Sequence, residues 1–356
     1  MKRPIVSVLK TSPETVLDDY GSLMCMAEYQ KHLSKRHETV LKLNLSWSLY
    51  YPSCSTQPWQ LDGVLKALID DGYKNIHPVE NRTVVTDVMK GAIGNRWMPI
   101  LKKYKQKYEP LTKTRWVKYK PKTELLALDK VFPDDHKIPA MFIGKNVIHL
   151  PTVKTHGHTT MTGAMKNAFG GLITKKRHHC HKMIHEVLVD LLAIQKEIHP
   201  GMFAVMDGTV AGDGAGPRTM VPREKDMILA SADQVAIDAI SAKLMGFDPM
   251  RIKFIKLAHD MGLGCGDVDQ IDVVGEDISK INFRFKTNKS PVIFWDQMLR
   301  KGPLSFVEPF LFHTGLFNLC VFASAFYHDN LWYPLVGKKI INKFNNGKWG
   351  KLFKTY

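Results

Sequence analysis

The sequence predicts an α/β protein of two domains, each with a mostly parallel sheet covered by helices, followed by an aromatic-rich C-terminal extension. Apolar strands alternate with amphipathic helices over residues 4–79, which is typical of βαβ units. The 356 residues exceed what one small core requires, and 44% apolar with 24% charged residues is a globular composition. We place the domains at residues 1–135 and 136–280 and the extension at 281–356.

The N-terminal domain opens with a β-α pair in which Ser12 is the predicted N-cap and Pro13 occupies the first helical turn. Period-2 and period-3.6 patterns alternate along this half of the chain. The predicted strands lie at residues 4–9, 39–45 and 75–79, and the predicted helices lie at residues 13–33, 61–69 and 84–105. A basic stretch over residues 110–122 is predicted to be an exposed connection.

The second domain is predicted to continue the alternation. Its strands are expected at residues 141–143, 147–150, 202–206 and 227–230, and its helices at residues 162–169, 184–198 and 232–245. Ser231 is the predicted N-cap of the last helix, and Gly246 is its predicted stop.

Charge and cysteine content narrow the class of protein. Fifty Lys and Arg against 34 Asp and Glu give a net charge of +16, which favours anionic partners without choosing among them. The surplus is spread along the chain, whereas a nucleic-acid module concentrates it among aromatics, so a basic surface is favoured over nucleic-acid binding. Five scattered cysteines without a C-x-x-C pair favour a reducing, cytoplasmic location, and residues 1–20 contain no apolar core of a signal peptide.

The C-terminal extension is rich in aromatic and apolar residues from about residue 290 onward. The stretch over residues 303–327 is long enough to suggest a membrane span, but Glu308 and His313 interrupt it and two prolines break its start. We therefore expect the extension to pack on the core, with contact to a membrane surface as the less favoured alternative.

A histidine-rich stretch over residues 149–186 is the main candidate for chemistry. It contains seven of the chain's 15 histidines, and it begins where a predicted strand ends. In a parallel sheet this carboxyl edge is where ligands bind. The predicted catalytic residues are His156, His158 and Lys166.

Several polar and glycine residues near this edge are predicted to contact a substrate or anion. Glycines allow the backbone to approach a ligand, and the N-terminus of the helix at residue 162 could hold an anion. A second stretch, residues 207–217, contains four glycines and two carboxylates after a strand, and it is predicted to be a ligand-facing loop. Ordinary turns explain the same glycines, and neither stretch matches a P-loop or a dinucleotide fingerprint. The predicted contacts are Lys154, Thr162, Gly163, Asn167, Asp207 and Gly214.

The downstream histidines form a possible metal site. On a helix, His178, His181 and His185 would be separated by three and four residues and would share one face. Neutral imidazole is a common ligand of divalent transition metals. A solvated basic helix start explains the same spacing equally well.

Five motifs in order carry a resemblance to a known family. They are P-x-x-K-T-H at residues 151–156, T-G-A-x-K-N-x-x-G at 162–170, D-G…G-x-G-P at 207–217, A-S-x-D-x-V-A-x-D at 230–238 and L-M-G-F-D-P at 244–249. This set resembles the family called domain of unknown function 362, whose name implies no reaction. Some relatives carry an iron-sulfur module, but its cysteines are missing here, so no iron-sulfur cluster is expected.

A second resemblance covers one short stretch. The pattern of His156, Gly163 and Lys166 is similar to that of nickel-pincer lactate racemases. That likeness would make His181 or His185 a downstream metal-ligating histidine.

The leading functional hypothesis is a cytoplasmic enzyme acting on a small anionic substrate, as an isomerase or oxidoreductase that a metal or organic cofactor could assist. His156 and His158 would transfer protons, while Lys154 and Lys166 would fix negative charge. The alternatives are a protein that binds nucleic acid or another polyanion and a peripheral membrane protein that uses the C-terminal aromatic segment. We further expect His156, Lys166 and Asp207 to line one interdomain cleft, with residues 178–185 at its rim.

Overall fold

The computed structural model describes residues 3–133, 136–173 and 177–356. Its strands are β1 (Ile5–Lys10), β2 (Thr39–Lys42), β3 (Ile76–Glu80), β4 (Glu109–Pro110), β5 (Trp116–Lys118), β6 (Lys137–Pro139), β7 (Asn146–His149), β8 (Thr152–His156), β9 (Thr160–Met161), β10 (Met202–Ala215), β11 (Thr219–Ser231) and β12 (Asp272–Gly275). Residue 135, where we placed a domain boundary, lies outside the described residues.

The helices precede, connect and follow these strands. They are α1 (Val16–Met26), α2 (Tyr29–His32), α3 (Pro58–Asp70), α4 (Val88–Gly94), α5 (Trp97–Lys103), α6 (Leu128–Val131), α7 (Ala164–Leu172), α8 (Ile184–Ile198), α9 (Gln234–Met245), α10 (Lys253–Asp260), α11 (Pro291–Arg300), α12 (Glu308–Phe312), α13 (Phe317–Ala325), α14 (Lys338–Asn346) and α15 (Lys348–Thr355). A π-helical segment, Phe326–Gly337, joins α13 to α14.

Strands from both halves of the chain join one sheet. Its order is β12-β1-β11-β10-β7-β2-β3-β4, with β8 alongside β10 and β9 alongside β8. Most neighbours are parallel, while β11 runs antiparallel to both β10 and β1. The predicted α/β class is confirmed. The N-terminal half does not have a sheet of its own, because β2 pairs directly with β7; both strands are buried throughout, as central parallel strands must be.

Helices cover both faces of the sheet. Alternate side chains of a strand point to opposite faces, so Val40 joins a core with α7, α8, α9 and α10, whereas Leu41 joins a core with α1, α3, α5 and α15. The same alternation along β10 sends Met206 to the first core and Val205 to the second. The face that a polar residue meets is therefore set by its parity in the strand.

The glycine-rich stretch is a strand and not the loop that we predicted. Residues 207–215 continue β10, which pairs with β11 as a long ribbon. β8 lies against this ribbon, and its Thr155 hydroxyl donates to the Gly214 carbonyl oxygen at 2.9 Å. A Cβ on Gly216 would overlap the Thr155 carbonyl oxygen. These glycines allow two backbones to approach closely. Close backbone packing is another common reason for glycine within or next to a strand.

The C-terminal extension packs on the core at its far end. Trp349 of α15 is buried, its ring lies 5.2 Å from that of Trp59, and its indole Nε1 donates to Asp226 Oδ1 at 2.7 Å. Among the described residues no single helix has the length and apolarity to cross a membrane. The segments Ser305–Phe312 and Phe317–Asn346 reach this length and apolarity only when they are taken together, and a 92° bend separates them.

We predict that Gly216→Ala lowers the free energy of unfolding by about 3 kcal/mol, because the added methyl must push β8 off the ribbon. Gly262→Ala is the control, since Gly262 has φ +66° and nothing within 4 Å of its built Cβ, so only backbone strain of about 1 kcal/mol is expected there. Urea denaturation of both variants measures the difference. Equal losses would show that β8 is not seated on this ribbon.

Candidate functional site

A cavity of about 590 Å³ lies at the carboxyl ends of the parallel strands. Lys42, Glu80 and His156, the last residues of β2, β3 and β8, are on its wall together with residues of α7, α11 and α13. This volume is typical of a small-molecule site, and the carboxyl edge is where α/β sheets bind ligands. The 3-10 helix Arg177–Met183 contributes another part of the wall.

The three predicted catalytic residues, His156, His158 and Lys166, all line this cavity. His156 Nδ1 accepts the backbone N–H of His158 at 3.1 Å. This contact assigns the neutral ring with its proton on Nε2. Burial, with Lys166 nearby, holds the pKa of His156 well below its usual range. The neutral ring is therefore equipped to donate a hydrogen bond from Nε2.

The two predicted anion-binding lysines differ in availability. Lys154 does not line the cavity, and its ammonium group donates to Asn44 Oδ1 at 2.6 Å, Cys54 O at 2.7 Å and Thr152 Oγ1 at 2.9 Å. All three of its donors are thus used inside the protein. Lys166 has no hydrogen bond or ion pair with any residue that the structure describes, and it lies 5.3 Å from the centre of the Phe169 ring. Burial, and then Arg177, lower the pKa of Lys166 to about 8.

A buried ion pair forms the floor of the cavity. Lys42 Nζ lies 2.7 Å from Glu80 Oε1 and donates to the Leu43 carbonyl at 2.6 Å. The predicted contact residue Asn167 lines the cavity and donates through Nδ2 to the Lys42 carbonyl at 3.0 Å. Asn167 therefore ties α7 to β2, which is a structural use of its amide.

The N-terminus of α7 is occupied by the protein's own carboxylate. Ala164 N–H donates to Asp238 Oδ1 at 2.6 Å, and Met165 N–H donates to Oδ2 at 3.1 Å. Gly163 has φ +138°, and a Cβ there would overlap this carboxylate. Burial raises the pKa of Asp238 to about 8, but both oxygens face N–H donors, so we assign the ionised form. The anion expected at this helix end is thus Asp238, while Thr162 and Gly163 still line the cavity.

Asp207 does not line the cavity with His156 and Lys166, which corrects our expectation of a common cleft. It accepts the Tyr20 hydroxyl at 2.6 Å and the Trp59 indole N–H at 2.9 Å. Strand parity explains this placement, because Asp207 shares the face of Val205, toward α1 and α3. Gly214 also lies away from the cavity, in β10 with φ +103°.

The predicted metal set, His178, His181 and His185, is not brought together. Residues 177–183 form a 3-10 helix and His185 lies in α8, so the three histidines do not share one continuous α-helix. His178 stacks on Phe317 at 3.7 Å between ring centres, and His185 does not line the cavity. The group able to surround an ion, among the residues described, is His158, His181 and Asp296, whose ligand atoms lie within 4.8 Å of one another.

The charges that line the cavity are unbalanced. Asp296 and Arg300 of α11 were missed in the sequence; their i, i+4 spacing within an aromatic helix was the available signal. Arg300 Nε donates to Asp296 Oδ1 at 2.9 Å and its guanidinium lies 3.7 Å from the centre of the Phe312 ring, but its two terminal nitrogens are buried without a hydrogen-bond partner in the described part of the chain. Among the described residues, the lining contains two carboxylates, Glu80 and Asp296, against five cationic side chains, Lys42, Lys166, Arg177, Arg218 and Arg300.

Fold and site together define an α/β protein with a cationic and imidazole-lined cavity at the carboxyl edge of its sheet. Residues 39–243, more than half of the chain, match the family described as domain of unknown function (DUF362). The chain belongs to this family, as its motifs predicted.

One relative and the solved structures complete the comparison. The thylakoid-associated protein sll1697 of Synechocystis sp. is 32% identical over 124 residues, which cover 33% of this chain and 37% of that protein. The match thus spans little more than a third of the relative's length. No solved structure matches the chain significantly. The likeness to lactate racemases is not shown by these matches.

We predict that Asp238→Asn lowers the free energy of unfolding by about 2 kcal/mol, because an amide NH₂ would replace one of two acceptors and leave a buried N–H unsatisfied. Asp87→Asn is the matched control, since Asp87 caps α4 through Oδ1 alone and Asn caps as well as Asp. Thermal unfolding in parallel measures both. A neutral Asp238→Asn would contradict the capping role of the second oxygen.

Proposed function

We propose that the cavity binds a small anionic substrate and transforms it by acid-base chemistry. The observation that carries this proposal is the surplus of buried positive charge, above all the unpartnered nitrogens of Arg300, which is 2% exposed. Removing cations from water is costly unless a counter-charge compensates them. An anionic ligand beside Lys166 and Arg300 would supply that counter-charge.

Each polar side chain has a distinct part in this proposal. Lys166, with a pKa of about 8, is mostly protonated at neutral pH and would hold negative charge on the substrate. His156 would donate a hydrogen bond from Nε2 to negative charge that develops on the substrate. His158, whose Nε2 lies 3.4 Å from Asp296 Oδ2, is a further imidazole within the same cavity.

The charges argue for an anion in preference to a metal ion. His158, His181 and Asp296 have suitable ligand atoms, but Asp296 already pairs with Arg300. Burial holds the pKa of His181 well below its usual range, and the neighbouring groups His158, Arg300 and Lys166 lower it further. The same charges would repel a divalent cation.

We predict that Lys166→Met raises the free energy of unfolding at pH 7 by roughly 1 kcal/mol or more, because it removes a charge that folding desolvates. The same substitution should abolish the stabilisation of the protein by added inorganic phosphate. The pKa of Lys166 is lower in the folded state, about 8 against 10.5. The wild type should therefore gain stability as pH rises from about 8 to 10.5, and the variant should lack that gain. Phosphate affinity should fall above about pH 8. Melting curves with and without phosphate measure all three effects.

A second variant, His156→Gln, separates the chemical step from substrate binding. Both proteins are incubated with an extract of the natural host, and anions are followed by negative-ion mass spectrometry. Wild-type protein should convert an anion that His156→Gln leaves intact, with a loss of conversion larger than any loss of phosphate binding. If Lys166→Met instead destabilises the fold and phosphate still binds, the lysine is structural and the anion site is wrong.

A second function, attachment to a membrane surface, is favoured by the exposed apolar side chains. Of the 15 exposed large hydrophobic residues in the part of the chain that the structure describes, ten lie between residues 294 and 336, including Phe306 at 76% and Phe322 at 68% exposure. Such a concentration marks an interaction surface. Six lysines and no carboxylates follow over residues 338–356, which suits an anionic lipid surface.

Two further observations support this second function. The matched relative is named as thylakoid-associated, and we extend membrane association to this chain only as part of the proposal. All five cysteines are free, which suits the cytoplasmic side of a membrane.

We predict that Leu319→Ser with Phe322→Ser lowers partitioning onto phosphatidylglycerol vesicles by about tenfold, because two apolar side chains stay out of the lipid. Ile93→Ser is the control, since Ile93 is 64% exposed, as is Leu319, but lies outside this segment. Cosedimentation measures the bound fraction. An equal loss for Ile93→Ser, or equal binding to phosphatidylcholine, would contradict a lipid-docking role.

A further inference from the structure

Helix α13 is a thin wall between the cavity and the outside of the protein. Phe317, Val321 and Ser324, spaced as one helical face, line the cavity. Leu319 and Phe322, on the other side of the helix, are 64% and 68% exposed. A helix that is apolar all round normally lies within a core or in lipid, and α13 contains no charged residue.

The lining of the cavity is divided in character. Three of its cationic side chains, Lys42, Lys166 and Arg177, come from the sheet edge and the segments near α7, and Arg300 adds a fourth at the end of α11. Its apolar side chains come mainly from α11 and α13, among them Ile293 and Leu299. A small hydrophilic anion would satisfy the first group and leave the second facing water. The apolar wall therefore requires an apolar part of the ligand.

The opening of the cavity lies on the exposed aromatic segment. Trp295 lines the cavity and is also 55% exposed, so it stands where the cavity meets the outside. Tyr327, at the start of the π-helical segment, lines the cavity as well. Trp and Tyr are the residues that favour the boundary between lipid and water.

We propose that the substrate is an amphiphile with one apolar chain and a phosphate or carboxylate head group, taken from the lipid surface through the opening beside Trp295. This inference rests on the proposed anion site and names its substrate class. The head group lies against Lys166 and Arg300, while the chain lies along α11 and α13. When the exposed apolar side chains of residues 294–336 dock on a lipid surface, they bring the opening of the cavity to the lipid. The apolar chain of the ligand then need not cross water.

The test compares inorganic phosphate with butyl, hexyl, octyl and decyl phosphate, each below its micelle concentration, by isothermal titration calorimetry on the full chain. Each added methylene should raise affinity roughly fourfold, equivalent to about 0.8 kcal/mol, until the cavity is full. Val321→Phe, which narrows the cavity, should make the rise stop at a shorter chain. The same series of carboxylates, from butyrate to decanoate, distinguishes the two head groups.

The outcomes separate this inference from the proposed function. Binding of phosphate without any gain from the alkyl chain overturns the amphiphile and leaves the anion site standing. Alkyl phosphate binding that survives in Lys166→Met overturns the anion site. The Leu319→Ser, Phe322→Ser variant should bind hexyl phosphate like wild type, because its changed side chains face outward; a loss of affinity would contradict the assignment of the two faces of α13.

Discussion

The site depends on the close contact between β8 and the β10–β11 ribbon. Glycines at the contact allow Thr155 to donate to the Gly214 carbonyl and let the backbone of Gly216 lie against that of Thr155. This contact carries β8 to the carboxyl edge of the sheet, where it ends at His156. The α7 N-terminus is then fixed by Asp238, which brings Lys166 to the same cavity. A glycine pattern that suggests a ligand loop therefore builds the frame for the ligand site.

Burial in the folded state makes the positive charges in the cavity energetically unfavourable. Burial lowers the pKa of Lys166 to about 8, and Arg300 is left with buried donors that no described residue satisfies. Lys154 is more deeply buried, and burial lowers its pKa further, to about 7, but all three of its donors are satisfied inside the protein. The hydrogen bonds of Lys154 support the fold, whereas the ammonium group of Lys166 lacks such partners among the residues that the structure describes. This difference assigns Lys166 to the site, since strain and unpaired groups concentrate where proteins act.

The C-terminal extension is part of the site and not an appendage. α11 supplies Asp296 and Arg300, and α13 closes the cavity with a helix that is apolar on both faces. Further along the chain, Trp349 returns to the core beneath Trp59. The exposed aromatic part of the extension is thus anchored at its far end in the core. In the proposed function it connects a lipid surface with the cavity in which the chemistry takes place.

The sequence by itself determined the α/β class, the family, and the collection of His156, His158 and Lys166 at a strand end, because periodicity and motif order are local properties of the chain. It also indicated that the end of the extension would pack on the core. Only the tertiary structure decided that Asp207 faces α1 and α3, since one step of strand parity reverses a side chain. Tertiary structure likewise decided that the glycine-rich stretch is a strand, that Asp238 caps α7, and that His158 and His181 meet Asp296 from a distant helix. These contacts join residues far apart in sequence, and their partners are set by packing, which no local pattern records.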